Sequence, residues 1–239
     1  MKNLLLLFSL LFLVSCATVE NESGEPESQK TPPVEPAKPE PVFQPSFIVP
    51  EVNGSYYYQV LELLKTEQPD VLPAIDFVKF RYAYLKVRDR DRLAMPTELR
   101  EQLRQSMEAG NNEQALKLCE EIQRYDFTDI YSHVMRNYFL DVLEKDSSFY
   151  KDYVNRLLRS IFESGDGRTP ETAFHVIQIK EEYEILKFMG LTPHEQTTYD
   201  TGGHSFDVIT CENRNGEWVR IFFDITEHME MLNRAFSNR

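Results

Sequence analysis

Three residues near the carboxyl end of the chain have the side chains of a nucleophilic catalytic site: His204, Asp207 and Cys211. A cysteine activated by a histidine, which a third group in turn orients, attacks carbonyl carbon atoms in hydrolytic enzymes. The segment Ser205 to Cys211 alternates apolar and polar residues and therefore predicts a β-strand. Because side chains alternate between the two faces of a strand, Asp207 and Cys211 share one face and His204 points to the other. The spacing argues against a site made of these three residues, unless a bulge intervenes.

Two histidines, His175 and His204, are also candidate metal ligands, because imidazole nitrogen atoms bind zinc. Zinc sites usually have a second histidine or cysteine at short spacing, and neither histidine has such a neighbour. We therefore expect both to be structural. The sequence predicts no catalytic residue, no metal and no cofactor.

The segment SGDGRTPETAF, residues 164–174, is a further candidate because glycine-bearing loops often bind ligands. Gly165 and Gly167 permit positive φ angles, and Asp166 can accept hydrogen bonds from its own backbone. The segment lacks the GxxxxGK[ST] spacing of a phosphate-binding loop and the several acidic residues of a calcium loop. We interpret it as a structural turn between a helix and a strand.

A third cysteine, Cys16, has the sequence context of lipid attachment. It ends the run LVSC behind Lys2 and a short apolar stretch from Leu4 to Leu13. About ten apolar residues are too few to cross a bilayer of roughly 30 Å as a helix. The pattern predicts a signal peptide at residues 1–15 and a mature protein anchored in the bilayer through acylated Cys16. Ala17, where an aspartate would signal retention in the inner membrane, favours the outer membrane of the cell envelope.

Residues 16–50 differ in composition from the rest of the chain. Eight of the thirteen prolines fall between Pro26 and Pro50, among glutamate, serine and lysine residues. Such a stretch cannot bury enough apolar surface to fold, and its prolines favour an extended conformation. We predict a disordered linker that holds the folded part away from the membrane.

The charge of the chain limits its partners. The formal net charge is −13 over 239 residues, whereas nucleic-acid binding requires a basic surface. The sequence therefore predicts no nucleic-acid partner. Cys119 and Cys211, the cysteines that remain, are interpreted as small buried hydrophobic residues.

Residues 51–165 show the periodicity of helices. Predicted starts lie at Ser55, Thr97, Asn112, Thr128 and Ser147, and an aromatic helix covers residues 77–85. The run AGNNEQALKLCEEIQRYDFTD resembles a tetratricopeptide repeat, with Gly110 and Asn111 at a turn between helices and Ala115 at a close helix crossing. Phe127 stands where that family usually has proline, so the resemblance covers one repeat and a degenerate second.

Residues 166–239 predict a small antiparallel α+β region packed on the helices. Expected elements are a strand from Thr172 to Ile179, a helix from Glu181 to Met189 and a closing helix from Glu227 to Phe236. Asn215 and Gly216 join two further strands, Ser205 to Cys211 and Trp218 to Ile225, as an antiparallel hairpin. The predicted fold class is α+β, with tetratricopeptide-like helical hairpins followed by a small antiparallel sheet.

The carboxyl-terminal segments carry a family resemblance. SGDGRTPETAFHVIQIKEEYEILKFMGL, the GGHSFDVI strand and the RIFFDI strand resemble the domain of unknown function numbered 4919. That family occurs in uncharacterised envelope lipoproteins of Bacteroidota and related groups. The resemblance spans roughly residues 56–225 and implies a location and a folding unit. It implies no active site.

Binding or scaffolding is the function that these features favour, because helical hairpins present concave surfaces to a protein or peptide partner. Tyr131 and Tyr138 are candidates for lining such a groove. The alternative is an envelope hydrolase with a thiol or carboxylate site near His204, Asp207 and Cys211, or at Asp166.

Overall fold

Apolar residues at three- and four-residue spacing build six helices in the first two thirds of the described chain. The structure, a computed structural model, describes residues 43–88 and 95–237. Cys16, the predicted signal peptide and most of the predicted linker lie outside these residues. The predicted end of the linker at residue 50 is wrong, because the backbone N–H of Ser46 donates to the carbonyl oxygen of Glu171 at 2.8 Å and Phe47 packs against the core. The helices are α1 Ser55–Leu64, α2 Phe77–Arg88, α3 Thr97–Glu108, α4 Asn112–Tyr125, α5 Ile130–Val142 and α6 Ser148–Phe162, and a 3₁₀ helix, Pro69–Ala74, lies between α1 and α2.

Polar side chains fix the starts of the two central helices. Asn111 caps α4 and Asp129 caps α5, each accepting a hydrogen bond from the backbone N–H three residues later. The predicted starts at Asn112 and Thr128 are therefore confirmed to within two residues. Thr97 does not cap α3, because it is the first helical residue and follows Pro96.

The turn that resembles a tetratricopeptide repeat forms a helical hairpin. Gly110 has a φ of 68°, which a residue with a side chain rarely adopts, and Ala115 is fully buried where α4 meets its neighbours. Helix α3 contacts α4, α4 contacts α5, and α5 contacts α6. These features define helical hairpins and do not identify the repeat family.

A four-stranded sheet follows, with strand order β1-β4-β3-β2. The strands are β1 Phe174–His175, β2 Thr192–Thr201, β3 His204–Glu212 and β4 Trp218–Asp224. The hairpin of β3 and β4 is antiparallel as predicted, and β2 pairs antiparallel with β3. β1 runs parallel to β4, so the sheet is mixed.

Two local predictions in this region were incomplete. The expected strand from Thr172 to Ile179 shrinks to two residues, because Pro170–Thr172 forms a 3₁₀ turn and Ile179 already starts α7, Ile179–Met189. β2 was not predicted at all. Its residues are polar and mostly exposed, as expected for an edge strand that has no buried face.

One hydrophobic core joins the helices to the sheet. It extends from Tyr57 on α1 to Met231 on α8, Thr226–Ser237, and the described residues form one compact unit. Within that part of the chain, every helix is too short or too polar to cross a membrane.

Candidate functional site

β3 places the three candidate residues His204, Asp207 and Cys211 on opposite faces of the sheet. Asp207 lies opposite Phe223 on β4, and Phe206, which shares a face with His204, lies opposite Asp224. The only register shift between β2 and β3 lies in the β2 strand, near Pro193. The prediction that His204 points away from Asp207 and Cys211 is confirmed.

His204 is instead paired with Asp224. Its Nδ1 donates a hydrogen bond of 2.7 Å to Asp224 Oδ2, and the other carboxylate oxygen accepts from the backbone N–H of Thr226 at 2.9 Å. Asp224 is buried, whereas a quarter of the His204 side chain is exposed. A buried carboxylate therefore holds one tautomer and one orientation of a partly exposed imidazole.

His175 comes close to this pair because β1 and β4 align it with Asp224. Its Nε2 lies 3.7 Å from Asp224 Oδ2, which is too long for a hydrogen bond. Burial lowers the pKa of His175 to about 4, so the ring is neutral at pH 7. Next to these side chains lies a cavity of about 220 Å³, which Tyr82 and Glu227 also line.

The chemistry open to this cavity is proton transfer. Since Nδ1 of His204 carries the bond to Asp224, its Nε2 is the atom that can exchange a proton with a bound molecule. Although His175, His204 and Asp224 meet, no three histidine, cysteine, aspartate or glutamate side chains in the described ranges are arranged to hold a metal ion.

Behind the cavity, a buried ion pair fixes the segment that contains His175. Arg81 Nη2 lies 2.7 Å from Glu181 Oε2, and the two side chains are only 1% and 2% exposed. Arg81 also donates to the backbone carbonyl of His175 at 3.2 Å, and Glu181 accepts from the backbone N–H of Ile177 at 2.8 Å. The pair therefore joins α2, α7 and the end of β1.

The neighbouring Glu182 faces the other side of the sheet, near Asp207. Burial, and after it the charge of Asp207, raises the pKa of Glu182 to about 9, so this carboxyl is protonated at neutral pH. Asp207 itself accepts hydrogen bonds from Gln196 Nε2 at 2.6 Å and from the hydroxyl of Thr198. Asp207 is thus part of a structural hydrogen-bond network on this face.

Cys119 and Cys211 are free and buried, as predicted. Burial raises the pKa of Cys119 to about 12 and that of Cys211 to about 11. Because the thiolate is the nucleophilic form, neither thiol is activated for catalysis.

The loop of residues 164–174 closes on itself. Asp166 Oδ1 accepts from the hydroxyl of Thr172 at 2.6 Å and from the backbone N–H of Arg168 at 3.1 Å. A β-carbon added at Gly165 would lie 2.2 Å from the carbonyl oxygen of Thr172, so only glycine fits there. This geometry agrees with a structural turn.

Tyr131 and Tyr138 have different surroundings. The ring of Tyr131 is partly buried between Arg100 and Lys187, whose charged groups lie 5.8 and 5.5 Å from its centre. Tyr138 is 55% exposed and packs edge-on against Phe139. Of the two predicted groove residues, Tyr138 presents the larger surface to solvent.

A pocket between α1, α4, α5 and α6 is lined by polar side chains of the helical region, two of which have buried donors without a partner in the described part of the chain. We call it the arginine pocket; its volume is about 350 Å³, and its lining residues are Leu61, Leu64, Lys65, Glu67, Gln123, Arg124, Phe127, Arg136 and Tyr150. The guanidinium of Arg136 lies 3.8 Å from the centre of the Tyr150 ring. It donates to Gln123 Oε1 at 2.8 Å and lies 3.2 Å from Glu120.

Two buried donors of the arginine pocket have no partner among the residues that the structure describes. They are Nε of Arg136 and Nε2 of Gln123. Close by, the hydroxyl of Tyr150 donates to the carboxylate of Glu67, which lies 3.7 Å from Arg136. Glu67 has a φ of 49°, a conformation that is uncommon for any residue other than glycine.

Sequence reasoning missed Arg81, Gln123, Arg136 and Asp224. Arg81 did carry a signal, since a charged residue among the buried aromatic residues of a helix requires a buried partner. Gln123 and Arg136 carried no sequence signal of burial, because polar residues on amphipathic helices usually face water.

Comparison with known proteins gives a family and no activity. No curated protein and no solved structure matches the chain. Residues 47–234 match the family described as Domain of unknown function (DUF4919), which confirms the resemblance seen in the carboxyl-terminal segments. Since the match covers most of the chain, the protein belongs to the DUF4919 family.

Proposed function

We propose that this chain is a lipoprotein of the bacterial cell envelope, anchored in the outer membrane through acylated Cys16, and that its folded domain binds a protein or peptide. The LVSC sequence and the proline-rich stretch before residue 43 support the anchor and the linker. The helical region supports binding, because it contains a pocket with donors that lack partners.

The unpartnered donors of Arg136 and Gln123 are the observation that carries this proposal. A buried donor without an acceptor costs about 1–3 kcal/mol, and a ligand oxygen would recover part of that free energy. Both atoms are buried, and both residues line the pocket. The volume of about 350 Å³ is within the range of small-ligand pockets, roughly 300–1,000 Å³.

Capture of a partner from the protein's own membranes tests the site. Wild-type lipoprotein is compared with Arg136→Met and with Arg124→Glu, whose side chain is 75% exposed and whose replacement should not disturb folding. The matched control is Arg159→Met, which removes an exposed arginine of α6 outside the arginine pocket. We expect both pocket variants, and not the control, to lose a partner that the wild type captures. Equal capture by all folded variants would refute this site.

A second candidate function, hydrolysis, is favoured by the His204 and Asp224 pair at the 220 Å³ cavity. There His204 would act as a general base toward water, with Asp224 orienting its ring. The probe is p-nitrophenyl acetate, and the reference is free imidazole at the same concentration. A rate above that reference that His204→Gln abolishes would support hydrolysis, and a rate equal to the reference would contradict it.

A further inference from the structure

The arginine pocket already holds a carboxylate, which belongs to the chain itself. Glu67 accepts a hydrogen bond from the hydroxyl of Tyr150 and lies 3.7 Å from Arg136 Nη2. The position between a phenol hydroxyl and a guanidinium is therefore suited to a negatively charged, oxygen-bearing group.

The Tyr150 hydroxyl provides the hydrogen bond that holds Glu67 at this position, and Arg136 does not add a second one. The Glu67 side chain is 55% exposed, and its distance to Arg136 exceeds that of a hydrogen bond. Its backbone has a positive φ in the segment between α1 and the 3₁₀ helix, and residues in such conformations are often found at ligand sites. A carboxylate that brought further contacts of its own could displace it.

Three of the four charged side chains that line the arginine pocket are cationic: Lys65, Arg124 and Arg136, against Glu67. Each cation also has a glutamate neighbour outside the lining, namely Glu62, Glu121 and Glu120 respectively. Arg136 is the most buried of the three, with 13% of its side chain exposed. With Glu67 displaced, an incoming carboxylate would meet Arg136 and the Tyr150 hydroxyl.

The other walls of the arginine pocket are apolar. Leu61, Leu64 and Phe127 line it beside the Tyr150 ring, so the group next to the carboxylate should also be apolar. Lys65 and Arg124 are 67% and 75% exposed at the edge of the pocket. These charged groups suit the amide carbonyls of a peptide and disfavour the methylene groups of an acyl chain.

We propose that the arginine pocket binds the free carboxyl terminus of a peptide chain whose last residue is apolar, and that Glu67 is the internal carboxylate that this terminus displaces. This inference rests on the proposed binding function and names its ligand class.

The test uses three pools of fluorescein-labelled octapeptides with mixed sequences at the first six positions. One pool ends in Ala-Leu with a free carboxylate, one ends in the same dipeptide as an amide, and one ends in Ala-Asp. Fluorescence anisotropy gives the affinity for the wild type, for Arg136→Met and for Glu67→Gln. Two variants are matched controls: Arg159→Met, and Glu163→Gln, which replaces a glutamate of similar exposure that also pairs with an arginine.

We expect the free Ala-Leu pool to bind about tenfold more tightly than its amide, because the amide loses the charge-assisted hydrogen bonds. It should likewise bind more tightly than the Ala-Asp pool. Glu67→Gln should tighten binding of the free Ala-Leu pool about two- to fivefold, since it removes the competing charge. Arg136→Met should abolish the preference for the free carboxylate, and both controls should leave every affinity unchanged.

Two results would overturn the inference in distinguishable ways. If the free and amidated pools bind equally and Arg136→Met weakens both, the arginine pocket binds peptides but does not recognise their termini, and the proposed function stands. If no pool binds, the peptide-terminus inference is wrong, while capture from membranes still tests the proposed function separately. Circular dichroism of each variant shows that a loss of binding is not a loss of folding.

Discussion

Arg81 on α2 and Glu181 on α7 form an ion pair inside the core, between residues that are 100 positions apart in the sequence. Two hydrogen bonds of 3.2 and 2.7 Å join the side chains, and neither side chain is more than 2% exposed. The helical region and the region that contains the sheet therefore share a buried charge pair, in addition to one hydrophobic core.

We expect the free energy of unfolding to fall by about 3–5 kcal/mol in Arg81→Met, because this change leaves the buried carboxylate of Glu181 without its partner. Glu181→Gln should have a similar effect. The double variant Arg81→Met, Glu181→Met should recover part of the loss, since it removes both charges. Urea denaturation of the three variants measures these differences. Single variants that lose less than about 1 kcal/mol would show that the pair has little effect on stability.

Much of the helical architecture follows from the sequence. Apolar periodicity and polar start residues predict α4 and α5, because those helices have one buried face and a local start signal. The predicted starts, Asn112 and Thr128, lie within one residue of the caps Asn111 and Asp129. The hairpin of β3 and β4 is likewise predicted, since Asn215 and Gly216 specify its turn locally. These features depend on residues that are close together in the chain.

The sites could be predicted only in part, because they depend on contacts between distant residues. Strand parity shows that His204 points away from Asp207, but it cannot show that the partner is Asp224, 20 residues later. The sequence of the edge strand β2 lacks an apolar pattern. Its pairing with β3 in the folded structure identifies it as a strand. The arginine pocket needs side chains from four helices, which no local pattern brings together.

Glu182 should make the stability of the protein depend on pH above neutrality. Its pKa is raised from 4.5 to about 9 in the folded state, so the folded protein keeps a proton that the unfolded chain loses between these values. The free energy of unfolding should therefore decrease as pH rises. Between pH 6.5 and 9 we expect a decrease of up to about 3 kcal/mol, measured by urea denaturation. Glu182→Gln should remove most of this slope.

Two buried histidines affect stability only below the range from pH 6.5 to 9. His133 and His175 have pKa values lowered by burial to about 4, so their effect is a loss of stability as pH falls from 6.5 through 4. Glu184→Gln is the control, because it removes a carboxylate from the same helix and should leave the slope unchanged. A slope that persists in Glu182→Gln would show that the Glu182 carboxyl is not its cause.

Cys119 and Cys211 should not react with thiol reagents in the folded protein. Both are buried and their pKa values are raised, so very little thiolate is present at pH 8. In a Cys16→Ser variant, which has only these two thiols, Ellman's reagent should react fully after denaturation in urea and very slowly before it. Rapid reaction of the folded protein would show that one thiol is accessible.

Replacing both buried cysteines by alanine should preserve partner capture. The double variant Cys119→Ala, Cys211→Ala loses packing, at a cost of about 1 kcal/mol for each residue. If this variant folds normally and loses the captured partner or the cellular function, a thiol-dependent activity would explain the protein better than binding.

Cys16 should carry the lipid that anchors the protein. The LVSC sequence follows a short apolar stretch, and the other two cysteines are buried in the folded domain, where a lipid cannot be attached without unfolding. Cells that are given radiolabelled palmitate should therefore label the wild type and the Cys119→Ala, Cys211→Ala variant equally, and should not label Cys16→Ser. Membrane fractionation should move Cys16→Ser out of the outer-membrane fraction. If the serine variant is labelled as strongly as the wild type, the lipoprotein proposal is wrong, and the proline-rich stretch would need a role other than that of a membrane linker.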